Sequence, residues 1–295
     1  MDDQSWKVLI DRIKRGKVTP FLGAAASYPT LPTGTQLAVD WARRFDLEFG
    51  ERDENKDDLT EIAQRLSVAR GPMCPKIEVS QDLDGIGPPD FTQPNDPHTV
   101  LASLDLPIYI TTNYDDFMFQ ALRATGKDPI REFCRWNADI RDNGHESVFD
   151  RAGFEPTPAN PVVFHLHGIR EVPESIVISE DDYLSFIVDI SWHRRLLLPP
   201  RIQQALTGSS LMFIGYSLKD WTFKVIFRAL VLAMEAELRR ESVSVQLPAK
   251  DRKERSFLAQ SLHEKSIEVY WGDLRDFVAE IRERYDATPA VSAST

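Results

Sequence analysis

Short, continuous apolar runs, separated by segments with helical periodicity, constrain the fold of this chain most. The runs are rich in β-branched residues and lack the alternation of half-exposed strands, so they indicate strands buried on both faces. Strands that alternate with helices form parallel sheets, so the sequence predicts an α/β fold with helices on both faces of a parallel sheet. The runs occupy residues 18–22, 107–111, 161–166, 175–178, 211–214, 242–247 and 267–270.

Helix-period segments and proline-rich segments complete the predicted organisation. We expect one domain over residues 1–286, with a helical and irregular insertion at about 35–98 and a flexible tail at 287–295. Residues 71–97 carry six prolines and are predicted to form a loop. The predicted helices cover residues 6–14, 36–45, 59–66, 116–123, 192–206, 221–238 and 274–284.

Composition excludes several classes of protein. The chain has 295 residues and a formal net charge of −11, which argues against a broad nucleic-acid surface. No apolar run approaches the roughly 18 residues that span a bilayer, and the acidic start does not resemble a signal peptide. The two cysteines, Cys74 and Cys134, are too few for a disulfide framework or a four-cysteine zinc module. We therefore expect a cytoplasmic protein that binds no membrane.

Small residues follow the first apolar run directly. After residues 18–22 come Gly23, three alanines and Ser27, and such a turn lets a backbone approach a pyrophosphate. A close strand–helix packing turn explains the same residues, so this motif leaves both interpretations open. It matches neither the G-x-G-x-x-G pattern nor a Walker A loop.

Polar residues follow the second run. Asn113 and Asp115 come just after a predicted strand end, where ligands of open α/β sheets bind. The amide of Asn113 offers donors and an acceptor, which suit a carboxamide ligand or a water. Seen alone, the motif favours an N-cap for the next helix.

Two histidines and a later glycine turn mark two more strand ends. His165 and His167 are two residues apart, so a strand would place them on one face. A core histidine is favoured for His165, and a crevice role as general base is favoured for His167. Gly215 and Ser217 follow residues 211–214, where a strand–turn–helix connection capped by Asp220 is the alternative.

Taken in this order, the motifs resemble those of the sirtuin superfamily, in particular its prokaryotic antiviral-defence branch, whose members hydrolyse NAD. The matching segments are Gly-Ala-x-Ala-Ser, Thr-x-Asn-Tyr-Asp, His-Gly and Gly-Tyr-Ser, and the likeness spans about residues 18–280. The resemblance implies a Rossmann-like fold and catalytic roles for Asn113, His167 and Asp115. The NAD-binding residues that it implies are Gly23, Ala24, Ala26, Ser27, Thr112, Gly215 and Ser217.

The resemblance also implies a function. It predicts a NAD hydrolase that forms nicotinamide and ADP-ribose without a metal, as the effector of an antiphage system that depletes NAD. The short form lacks the sensor domain of longer members, so we expect a homo-oligomer or a separate sensor, ATPase or Argonaute-type partner. Alternatives are a subunit that binds NAD or ADP-ribose without hydrolysis, and a protein deacylase or ADP-ribosyltransferase, which the missing zinc module disfavours.

One residue departs from the family pattern. The family usually has glycine where this chain has Ala25. If that position needs a positive φ, alanine costs roughly 1–2 kcal/mol and weakens NAD binding.

Overall fold

Seven parallel strands form one sheet within the part of the chain that the computed structural model describes, residues 1–47, 57–142, 146–217, 240–247 and 252–288. The order across the sheet is β3-β4-β2-β1-β5-β6-β7, and every neighbouring pair is parallel. The predicted Rossmann-like α/β sheet is therefore confirmed. The strands are β1 (Val18–Leu22), β2 (Ile108–Thr111), β3 (Ile130–Phe133), β4 (Val162–His165), β5 (Ser210–Ile214), β6 (Ser242–Gln246) and β7 (Ile267–Trp271).

Helices surround this sheet. Many of them begin at a polar cap, as in the second helix, where Thr33 and Gln36 form a reciprocal capping box. No helix of the described ranges is long and apolar enough to cross a membrane. The α-helices are α1 (Asp3–Lys14), α2 (Gly34–Arg44), α3 (Leu59–Arg70), α4 (Cys74–Leu83), α5 (Pro97–Ser103), α6 (Phe117–Ala124), α7 (Ala138–Asp142), α8 (Glu180–Leu197), α9 (Pro200–Gly208), α10 (Arg252–His263) and α11 (Leu274–Ala287).

The sheet is buried on both faces, as its continuous apolar strands predict. Side chains alternate along a strand, so the adjacent residues Phe21 and Leu22 of β1 belong to two different apolar clusters. Phe186 of α8 packs in the cluster of Phe21, and Ile10 of α1 packs in that of Leu22. Helices on both faces are thus confirmed.

A third apolar cluster joins α2, α3 and α4 to the sheet. Trp41 of α2 is fully buried in it, and its Nε1 donates to Asp82 at 2.6 Å. The same cluster contains Phe117 of α6 and Ile178, which tie these helices to the segments after β2 and β4. This is the predicted helical layer. Its boundaries at 35–98, and the single domain with a tail at 287–295, stay predictions.

The strand predicted at residues 175–178 is wrong. This segment begins at the last residue of a 3₁₀ turn (Pro173–Ser175) and pairs with no strand of the described chain. It is buried on both sides because Val177 packs in one apolar cluster while Ile176 and Ile178 pack in another. A loop segment that is buried on both sides therefore has the same continuous apolar sequence as a buried strand.

Proline accounts for two further errors in the predicted elements. The loop expected over residues 71–97 contains α4, because Pro75 lies in the first turn, where its missing N–H breaks no helical hydrogen bond. The helix expected over residues 192–206 is divided between α8 and α9, because Pro199 and Pro200 follow the end of α8. The helix expected at residues 221–238 lies outside the described residues.

Candidate active site

The carboxyl ends of β1, β2 and β5 meet where the chain changes direction across the sheet. From β1 the chain passes to β2 on one side, and β5 later pairs with β1 on the other side. Ligands of open α/β sheets bind in the crevice beyond such a switch point. Three predicted segments, residues 23–27, 112–115 and 215–217, begin at these strand ends.

The turns after β1 and β5 are in direct contact. Gly23 N–H donates to the Ile214 carbonyl at 2.8 Å, and Ala25 N–H donates to the Gly215 carbonyl at 3.1 Å. Gly215 has φ +78°, and a Cβ there would lie 2.4 Å from the Ala26 nitrogen. A Cβ on Gly23 would lie 2.8 Å from the Tyr216 ring. Glycine is therefore required on both sides of this contact.

The condition for strain at Ala25, a positive φ, is not met. Residues 24–27 form a 3₁₀ turn, and the non-glycine residues with positive φ in the described ranges are Asp46 and Ser266. Ala24 and Ala25 are exposed, so only methyl groups project from this part of the turn. The backbone of Ala25 therefore gives no reason to expect weak NAD binding.

Asn113 has a defined side-chain orientation. Its Nδ2 donates to the Gly23 carbonyl and to Ser27 Oγ, at 3.2 Å each. Because a main-chain carbonyl only accepts, nitrogen and not oxygen must face Gly23. Within the described chain no group donates to Oδ1, so the half-buried amide keeps one open acceptor. Such an acceptor can orient a water molecule.

Asp115 lies behind Asn113 in the hydrogen-bond network. Its carboxylate is buried and accepts from Ser27 Oγ at 3.1 Å and from the Phe117 N–H at 3.0 Å. Burial raises the pKa of Asp115, and the charge of nearby His98 acts in the opposite direction. The contacts of Asp115 therefore hold Ser27 and the start of α6.

Tyr216 connects the three strand ends, a role that sequence reasoning missed. Its hydroxyl donates to the Leu22 carbonyl at 2.8 Å and lies 2.7 Å from Thr112 Oγ1. Since its proton is used on the carbonyl, Thr112 donates to Tyr216. A tyrosine directly after Gly215 was the available signal. Ser217 follows it and is exposed.

The two histidines have different surroundings. β4 ends at His165, so the strand alternation from which a shared face was expected does not extend to His167. His165 is 1% exposed, and its Nδ1 lies 2.9 Å from the Asn113 carbonyl oxygen. His167 is 2% exposed, and its ring meets Tyr183 and Phe186 edge-on, with centroids 5.2 Å away.

His167 is a neutral ring in an aromatic environment. Burial lowers its pKa to about 3, and its Nε2 has no hydrogen-bond partner among the described residues. Its link to the Asn113 loop passes through Val177, which donates its N–H to the His167 carbonyl and accepts from the Tyr114 hydroxyl. The catalytic pairing of Asn113 and His167 stays a prediction, as does the convergence of both with Ser217 on one crevice.

Metal ligands are not grouped in this region. Over residues 1–47, 57–142, 146–217, 240–247 and 252–288, no three His, Cys, Asp or Glu side chains are placed to hold a metal ion. The side chains gathered at the switch point are hydroxyl, amide and imidazole groups and the carboxylate of Asp115.

The fold and these turns define a Rossmann-like protein that holds the amide of Asn113 at its switch point. The chain belongs to the SIR2-like family, because the family model for the SIR2-like domain matches residues 107–270. This match confirms the resemblance to sirtuins.

Curated relatives extend the likeness beyond the matched region. NAD(+) hydrolase ThsA of Acinetobacter baumannii (strain 532279) is 23% identical over 312 residues, which cover 97% of this chain and 58% of that protein. NAD(+) hydrolase ThsA of Enterococcus faecium is 25% identical, over 72% of this chain and 41% of that protein. The chain thus spans about half the length of these relatives.

The contact between the two glycine turns predicts a specific effect of Gly215→Ala. Gly126 is the matched control, because its φ of +82° is equally positive but its Cβ would meet nothing within 4 Å. Both substitutions pay about 1–2 kcal/mol for a left-handed alanine. Only Gly215→Ala adds overpacking of about 1–3 kcal/mol. Urea unfolding should show this difference. Equal losses of the free energy of unfolding in Gly215→Ala and Gly126→Ala would contradict the close contact between the two turns.

Buried His167 predicts a pH-dependent stability. Its pKa of about 3 in the folded chain lies below the unfolded value of 6.5, so the unfolded chain binds more protons between these values. The stabilisation is complete above pH 6.5 and decreases as pH falls toward 3. From pH 7 to pH 5 this group lowers the free energy of unfolding by about 2 kcal/mol.

Urea unfolding at the two pH values tests this expectation. Between pH 7 and pH 5, the free energy of unfolding of His167→Gln should fall by about 2 kcal/mol less than that of the parent chain, because glutamine does not titrate. His193→Gln, at an exposed position of α8, should lose as much as the parent chain. Equal losses in the parent chain and His167→Gln would show that His167 titrates normally.

Proposed function

We propose that this chain hydrolyses NAD to nicotinamide and ADP-ribose in the crevice beyond β1, β2 and β5. The observation that carries the proposal is the amide of Asn113, which is fixed through Nδ2 and keeps Oδ1 open. The relatives support the choice of substrate, because their names are those of NAD(+) hydrolases.

Each group at the switch point has a role in this reaction. The exposed methyl side of the turn at residues 24–25 leaves room for the pyrophosphate, and Thr112, Gly215 and Ser217 line its approach. Asn113 Oδ1 accepts one hydrogen of the attacking water and so directs a lone pair of that water to the ribose C1′. Asp115 acts through Ser27, which it holds against Asn113.

The chemistry needs little nucleophilic activation. The bond between the ribose C1′ and the nicotinamide nitrogen breaks, its electron pair leaves with neutral nicotinamide, and the ribose passes through an oxocarbenium-like state. Water then bonds to C1′ and becomes strongly acidic. A weak base such as His167 is sufficient to take the proton at that late stage.

The alternative functions lose support. A non-hydrolysing NAD or ADP-ribose subunit was favoured by strain at Ala25, and that residue has no positive φ. A deacylase or ADP-ribosyltransferase is disfavoured because two cysteines cannot form the four-cysteine zinc module of deacylases. Binding of NAD without release of nicotinamide would identify the first alternative.

Substitution of Asn113 or His167 should abolish NAD cleavage, and His167→Ala also leaves a cavity beside Tyr183 and Phe186. We expect Asn113→Ala and His167→Ala to lower kcat/KM at least about 100-fold, because each removes an interaction with the reacting water. Nicotinamide and ADP-ribose are quantified by chromatography, and the fold is checked by thermal unfolding. Asn160→Ala and His193→Ala, at exposed positions, are the matched controls and should retain activity. Parent-level turnover in either crevice variant would remove that residue from the mechanism.

We propose antiphage defence by NAD depletion as the biological role, exerted in the cytoplasm, where NAD is available. Unregulated loss of NAD is toxic to the cell, so the activity needs a gate. A homo-oligomer or a separate sensor, ATPase or Argonaute-type protein would supply it. One exposed apolar stripe on α8 suits such a contact: Leu184, Val188 and Trp192 are one turn apart and 54%, 54% and 79% exposed.

Light scattering together with turnover assays tests the gate. We expect weak NAD cleavage by the dilute chain and a mass above 33.6 kDa at higher concentration or with a partner. Val188→Ser together with Trp192→Ser should reduce self-association, because it removes the apolar stripe. A concentration-independent monomer that cleaves NAD rapidly would contradict both the assembly and the gate.

A further inference from the structure

His165 has a contact that links the edge side of the sheet to the candidate site. It is the last residue of β4 and pairs in register with Thr111 of β2. Its Nδ1 lies 2.9 Å from the carbonyl oxygen of Asn113, and the ring is almost completely buried. Because a main-chain carbonyl only accepts, Nδ1 must carry the hydrogen.

The tautomer of His165 is therefore fixed. Burial, with the positive charge of Arg131, lowers the pKa of the ring to about 4, so it is neutral at physiological pH. The opposing influences are the Asn113 carbonyl and the carboxylates of Glu171 and Asp116. A neutral ring with hydrogen on Nδ1 has a bare Nε2, and Nε2 has no hydrogen-bond partner in the described part of the chain.

Asn113 is held at four points, of which His165 supplies one. Its main-chain N–H donates to Thr111 Oγ1 at 2.9 Å, and its side chain is held by Gly23 and Ser27. Those three contacts come from β2 and from the turn after β1. The contact with His165 is the one that fixes the carbonyl side of the Asn113 peptide, and it comes from β4. Rotation of this peptide would redirect Oδ1.

We propose that His165 is a positioning residue, whose Nδ1–H fixes the peptide of Asn113 and thereby the direction of the Asn113 Oδ1. It touches no reacting atom. The kinetic consequence rests on the proposed NAD hydrolysis, whereas the structural consequence does not. This goes beyond the core role that the sequence favoured for His165.

A pair of variants separates the hydrogen bond from simple packing. His165→Asn keeps a donor at the place of Nδ1, while His165→Leu fills similar space without a donor. We expect His165→Leu to lower kcat about 10- to 100-fold, because small displacements of a reacting group have effects of this size. KM should change less than about threefold, and His165→Asn should restore kcat to within about fivefold of the parent chain. Equal kcat values in the two variants would overturn the proposal.

Two NMR measurements test the positioning without NAD. The ¹⁵N shifts of the His165 ring should show hydrogen on Nδ1 and none on Nε2 from pH 6 to pH 8. The side-chain NH₂ signals of Asn113, assigned by their loss in Asn113→Ala, should move in His165→Leu and return in His165→Asn. If His165→Leu fails to fold, His165→Gln, which has no donor at that place, takes its position in both experiments.

The kinetic and NMR measurements distinguish failure of the proposed NAD hydrolysis from failure of the proposed role of His165. A parent chain that releases no nicotinamide but shows the expected NMR signals would refute NAD hydrolysis and support the positioning of Asn113. A ring with hydrogen on Nε2, or Asn113 signals unchanged in His165→Leu, would overturn the proposal whatever the activity.

Discussion

The close approach of two turns at the centre of the sheet is the constraint on which the candidate site depends. A Cβ on Gly215 would lie 2.4 Å from the Ala26 nitrogen, so this approach requires glycine. The contact places the Gly23 carbonyl 3.2 Å from Asn113 Nδ2, which in turn determines that the amide presents its oxygen outward. The glycine turn after β5 thus determines the orientation of the Asn113 side chain, which follows β2.

Burial favours the uncharged forms of His165, His167 and Asp115, so these groups act mainly through hydrogen bonds. Burial lowers the pKa of His165 and His167 to about 4 and 3, and it raises the pKa of Asp115. Both histidines are therefore neutral at physiological pH. In the proposed hydrolysis, the fixed dipole that this site offers to a developing positive charge on ribose is the side-chain amide of Asn113, through its Oδ1. Because two hydrogen bonds hold Nδ2 and two more hold the main chain of Asn113, this dipole needs no reorganisation when that charge appears.

The sequence predicted the sheet and the turns because both depend on local pattern. β1 and the small residues after it were readable, since burial on both faces and close backbone approach each demand particular residue types. β3 was missed because Arg131 and Glu132 interrupt its apolar run at the edge of the sheet. The environment of His167 could not be read, because Tyr183 lies on α8, and only the folded chain brings that helix to the ring.

The edge formed by β3 limits how this chain can assemble. Neighbouring N–H groups of β3 alternate in direction, so those of Ile130 and Cys134 donate to the β4 side and that of Phe133 points outward. The outward N–H of Phe133 donates to its neighbour Glu132, and its carbonyl accepts from Arg135. Glu132 is itself held by Ser147 Oγ at 2.9 Å. Side chains thus occupy the outward hydrogen-bonding groups of Phe133, which an added strand would need. Strand addition at Phe133 would have to displace these side chains, so we expect self-association at this end of the sheet to use helix faces.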